Sequence, residues 1–120
     1  MQRYTLEELK QRRIQSLLGA DQAIRLQPAT YQELKQLLKD INDRPLDVAD
    51  YYKTAVGLST MLRQMADRVG YTIFDYFADH IDPGKHGDVR SFRLECRDLA
   101  EQIKEFDLWR VSRRMLKRIK

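Results

Sequence analysis

The stretch DVADYYKTAVGLSTMLRQMADRVG, residues 47–70, decides the fold. Tyr51, Ala55, Leu58, Leu62, Met65 and Val69 recur at spacings of 4-3-4-3-4, with a second row, Val48, Tyr52, Ala55, Ser59, Leu62 and Ala66, beside them. Side chains three and four apart share one side of a helix, so the stretch reads as one long amphipathic helix over about 47–69. An apolar band this wide must be covered by other helices.

The chain around it supplies them. Its 120 residues suit a single domain with one core, and only 5 are Gly and 3 are Pro. Val and Thr are scattered, with no alternating runs that would mark strands. The expectation is an all-α, single-domain bundle of five to six helices around the 47–69 helix.

Side-chain punctuation marks the helix ends. Thr5 and Glu8 form a capping box, with Tyr4 placed to staple onto Leu9. Leu6, Leu9, Ile14, Leu17 and Leu18 supply a buried side, and Gly19 is read as that helix's end. A short piece, Ala20 to Gln27, runs to Pro28, read as a stop. Thr30 and Glu33 look like a second capping box, ahead of the stripe Leu34, Leu37, Leu38 and Ile41. Asp47 caps the central helix and Gly70 closes it. Thr72 caps a short helix over Ile73 to Ile81, and the DPGKHGD loop, residues 82–88, precedes the last helical region, begun by Asp88 or Ser91. Phe92, Cys96, Leu99, Ile103 and Phe106 repeat at 4-3-4-3, and then the apolar row moves to Leu108, Val111, Met115 and Ile119. A kink, or a new helix capped by Asp107, would explain that shift.

Charge is segregated. The net charge of +4 is modest, but from Leu108 to Lys120 the bases Arg110, Arg113, Arg114, Lys117, Arg118 and Lys120 occur without one acid. Arg90, Arg93 and Arg97 form a second line upstream. Guanidinium forks match phosphate oxygens, so these nine residues are the candidate binding set. The implied partner is DNA or RNA backbone, bound without sequence reading, or an acidic protein surface. A solvated basic face is the plain alternative.

Other chemistry is poorly supported. Residues 79–88 gather both histidines and three aspartates, but the twelfth position counted from Asp82 is Arg93, where a calcium loop needs glutamate. The lone Cys96 sits on an apolar row, as a core residue would. There is no nucleophile elbow and no glycine-rich phosphate loop, so neither enzymatic activity nor a cofactor or metal is expected. With no apolar run of membrane length and no leader pattern at MQRYTLEELK, a cytoplasmic location is expected, and no membrane partner.

The run Ala66-Asp67-Arg68-Val69-Gly70-Tyr71, followed by Tyr76-Phe77, resembles the second DNA-reading unit of AraC-type regulators. That resemblance implies a helix-turn-helix transcriptional regulator. The helix that would read DNA carries Asp75, Asp79 and Asp82 and no Lys or Arg, which disfavours phosphate contact. The readings in competition are therefore an accessory subunit of a nucleoprotein assembly, a protein-interaction module such as a homodimer or adaptor, and a regulator of this third kind.

Overall fold

The computed structural model describes residues 5–84 and 88–119. Six helices and no strand occur among them: α1 (Leu6–Gln11), α2 (Arg13–Leu26), α3 (Pro28–Asp43), α4 (Val48–Ala66), α5 (Ile73–Ile81) and α6 (Val89–Ile119). They form one all-α bundle. Helix α4 packs most closely on α5, and α6 lies along α3 and α5.

Three of the expected stoppers are in place. Thr5 Oγ1 accepts from the Glu8 amide at 3.1 Å, Asp47 Oδ1 from the Asp50 amide at 2.8 Å, and Thr72 Oγ1 from the Phe74 amide at 3.1 Å. Each satisfies a donor that the first helical turn leaves unpaired. The central helix ends at Ala66, short of the expected 69, and after a turn over 67–69 Gly70 takes a left-handed conformation at φ 83° that redirects the chain toward the α5 cap. The core follows the 4-3-4-3 rows: Tyr51, Ala55, Leu58, Leu62 and Met65 of α4 pack with Phe74, Phe77 and Ile81 of α5 and Phe92, Cys96, Leu99, Ile103 and Phe106 of α6.

Five expectations are corrected. Gly19 does not end a helix; it lies inside α2, and the break falls at Arg12. A Cβ on Gly19 would meet Thr72 Cγ2 at 3.3 Å, so its smallness serves a close approach of α2 to the α5 cap. Pro28 does not stop a helix but begins α3, where its fixed φ and missing N–H cost nothing. Thr30 then falls inside α3 and caps nothing. The second row of α4 is only partly buried: Val48 is 76% exposed and Tyr52 is also exposed, because no helix covers the first turns on that side. Leu18, assigned to a buried side, is exposed as well.

Helix α6 has no new start at Asp107; it is continuous over 31 residues. Asp107 instead holds α3 against α6. Its Oδ1 accepts from the Tyr31 hydroxyl at 2.7 Å and its Oδ2 from Lys35 Nζ at 2.8 Å. Tyr31 is buried, and burial followed by this bond to Asp107 raises its phenol well above the ordinary tyrosine range.

Candidate functional site

The apparent phase shift in α6 is a change of chemistry on an unchanged helical line. Phe92, Cys96, Leu99, Ile103 and Phe106 face the core, and the same 4-3 spacing continues through Arg110 and Arg113. Guanidinium groups thus occupy positions where the heptad calls for apolar side chains. Successive residues turn about 100° around a helix, so Leu108, Val111 and Met115 are carried to the opposite side. Leu108 is 69% and Met115 58% exposed, and Val111 is exposed too. Apolar-in, polar-out becomes basic-in, apolar-out over the last third of the helix.

What the arginines meet is Asp21. Leu17, Ala20, Ala23 and Ile24 bury the surrounding side of α2, and Asp21 sits among them at 7% exposure. A buried carboxylate requires partners. Arg110 Nε lies 3.0 Å from Oδ1, Arg25 Nε 2.9 Å from Oδ2, and Arg113 Nη1 3.8 Å from Oδ2. Aromatic rings support two of them from behind. The Arg110 guanidinium carbon is 5.9 Å from the Tyr31 ring centre, and that of Arg113 is 4.8 Å from the Trp109 ring. Asp21, Arg25, Arg110, Arg113 and Arg114 together line a cleft of about 350 Å³ between α2 and α6. Four guanidinium groups against one carboxylate leave a formal charge of +3 there.

The structure gathers Arg110, Arg113 and Arg114 of the candidate set into this cleft. The side chains of Lys117 and Arg118, and Lys120 as a whole, lie outside the described residues. The upstream line does not join it. Arg93 and Arg97 line a separate cleft with Asn42, Ala100, Glu101 and Lys104. Arg93 Nη2 donates to the Arg44 carbonyl at 2.6 Å, which ties α6 to the end of α3. Arg90 is exposed beside Asp88, whose carboxylate accepts the Arg90 amide at 3.2 Å.

Sequence reasoning missed Asp21 and Arg25. The signal was present: Asp21 stands on the row Leu17, Asp21, Ile24, where an acid needs a cation, and Arg25 follows at i+4. The partner from α6 was not legible, because nothing local places residue 110 beside residue 21.

Other candidates resolve into structural roles. Among the described residues no group of His, Cys, Asp and Glu is arranged to hold a metal, and no helix is long and apolar enough to cross a membrane; His86 lies outside the described residues. Cys96 is fully buried, and burial pushes its thiol up to about 12, which disqualifies it as a nucleophile at neutral pH. On α5, Asp79 and Asp82 meet Arg63 Nη2 at 3.2 and 3.1 Å, while Arg63 Nη1 donates to Ser59 Oγ at 2.9 Å. Ser59 in turn donates to the Ala78 carbonyl at 2.9 Å. The helix that resembles a DNA reader is clamped to α4 by its own acids.

Comparison with protein-family models, with curated proteins and with solved structures gives no match.

Proposed function

We propose that the protein is a non-catalytic helical accessory subunit that binds nucleic-acid backbone through the α2–α6 arginine cleft, without reading sequence. One observation carries this reading: three guanidinium groups from two helices converge on a single carboxylate, and with Arg114 they leave a formal +3 in one concave site. Phosphate oxygens are the natural complement of such forks. The absence of a disulfide partner for Cys96 suits a reducing compartment such as the cytoplasm.

The test is fluorescence anisotropy with a labelled single strand, titrated across salt. Neutralising about three phosphates predicts a log–log salt slope near −2 for single strands, so affinity falls roughly 15- to 20-fold between about 50 and 200 mM salt. Arg25→Glu with Arg114→Glu, both exposed on the rim of the cleft, abolishes binding while leaving the helical spectrum intact. Affinity indifferent to salt, or to this reversal, refutes the proposal.

A second reading has its own support. The outward row Leu108, Val111 and Met115 is an apolar stripe that no element of the chain covers among the described residues. Such a stripe suits a protein partner, either a second copy or a neighbouring subunit, on the side of α6 away from the cleft. Concentration-dependent mass in light scattering, lost on replacing Leu108 and Met115 by serine, supports the second-copy form.

A further inference from the structure

We infer that the α2–α6 cleft takes a terminal phosphomonoester, in preference to the phosphodiesters inside a strand. The inference rests on the reading of this cleft as a polyanion site and narrows its ligand.

The arginines are arranged around a point, not along a path. Arg25 and Arg110 each aim Nε at a different oxygen of Asp21, and Arg113 brings Nη1 toward the same carboxylate. They come from two helices and close on one space of about 350 Å³. The Tyr31 and Trp109 rings hold two of the guanidinium groups in place. A compact oxyanion beside Asp21 would receive donors from both walls. An internal backbone presents its charge differently, one phosphate per about 3.4 Å of axis along each strand of a duplex.

The basic surface is also broken where a track would have to continue. Between Lys104 and Arg110, α6 carries Glu105 and Asp107, and Asp107 is held by Tyr31 and Lys35. The cleft of Arg93, Arg97 and Lys104 includes Glu101. At 1.5 Å per residue the two clefts come within about 9 Å of one another along the helix, at Lys104 and Arg110, and Glu105 and Asp107 stand in that interval.

Charge then discriminates between ligands. A phosphomonoester carries about −1.5 to −2 at neutral pH, with a second ionisation near pH 6, and has three terminal oxygens. A diester carries a single negative charge and offers two. A +3 site that already contains one resident carboxylate gains most from the more concentrated charge. The monoester could be the phosphorylated end of a strand or a free mononucleotide.

The experiment compares one short labelled oligonucleotide bearing a 5′-phosphate, a 3′-phosphate or only hydroxyl ends, with adenosine monophosphate as competitor. It uses the whole chain, at pH about 8 and about 5, on either side of the second phosphate ionisation. The expected result is binding of a phosphorylated strand on the order of tenfold tighter than the hydroxyl strand at the higher pH, with the difference shrinking at the lower. Direct binding of adenosine monophosphate in calorimetry, with no binding of any strand, supports the monoester site and refutes the strand-binding function. Equal binding of all strands, lost in Arg25→Glu with Arg114→Glu, overturns the end preference and leaves backbone binding standing. No binding of strand or mononucleotide overturns both.

Discussion

Asp21→Asn removes the one carboxylate that three guanidinium groups share, and its two consequences have opposite signs. The stability term comes mainly from Arg110, whose Nε lies 3.0 Å from Oδ1 and whose side chain is 22% exposed. A hydrogen bond between charged groups contributes about 1.5–3 kcal/mol. The exposed Arg25 pair adds only about 0.3–0.5 kcal/mol, and Arg113 at 3.8 Å adds less. Asparagine retains an acceptor, so a loss of about 2 kcal/mol is expected, or roughly 6–12 °C in Tm for a domain of this size. The binding term runs the other way. Two like charges about 5 Å apart repel by about 3 kcal/mol at an effective dielectric constant near 20. Against that stands the looser Arg25, worth about 0.5–1.5 kcal/mol, since Tyr31 and Trp109 still support Arg110 and Arg113. Charge wins by about 2 kcal/mol, which is 10- to 30-fold tighter anion binding. Thermal melts and strand anisotropy on the same preparations check both signs. An unchanged Tm, or a folded variant that binds anions more weakly, refutes the reasoning. A cycle of Asp21→Asn with Arg110→Gln isolates the pair, and a coupling below about 0.5 kcal/mol would remove the stability argument.

Alkaline pH tests the core. The buried Cys96 thiol is raised from 9.0 to about 12, so the unfolded chain loses that proton first and stability falls as pH rises from about 9; Cys96→Ala removes the part of the fall that begins near 9 in urea titrations, while the raised Tyr31, Tyr51 and Tyr76 phenols keep the fall above about 10. The same burial predicts that native Cys96 reacts with a disulfide reagent only as fast as the protein opens. Two glycines should respond with opposite signs to alanine, as read from urea midpoints. Gly70, at φ 83°, loses about 1–2 kcal/mol, whereas Gly57, inside α4 with open space around it, gains about 0.5–1 kcal/mol. Replacing Leu108 and Met115 by serine changes monomer stability by less than about 0.5 kcal/mol, and a larger loss in the melt would mean that the row is covered after all.

The architecture was legible where residue order alone carries the information. Asp47 and Thr72 act on amides within a few residues of themselves, so local chemistry announced the starts of α4 and α5 almost to the residue, whereas α4 ends at Ala66, before the expected 69. Pro28 and Thr30 show the limit. A proline fits the first turn of a helix as well as the gap between helices, and only the packing of Tyr31 and Leu34 settles which. Gly19 fails for a related reason: its meaning lies in Thr72, 53 positions away, and no local rule reaches that far. The binding cleft was half visible. Arg110, Arg113 and Arg114 stood out by density, but the partial burial of Arg110 and Arg113 depends on Asp21, which only the α2–α6 packing supplies.

That packing also bears on why the arginines are there. Stability does not require them. An apolar trio at positions 21, 110 and 113 would extend the heptad that already runs from Phe92 to Phe106. Such replacements of buried ion pairs are often neutral or stabilising, by as much as about 1–4 kcal/mol. Pairing is also lopsided, since one carboxylate cannot neutralise Arg25, Arg110 and Arg113 together. Under the proposed function, breaking a local rule without a gain in stability is what a site kept for its ligand would show. The resident carboxylate then has a definite role: it holds the forks apart and aimed, with each approaching oxyanion competing for donors that are already in place.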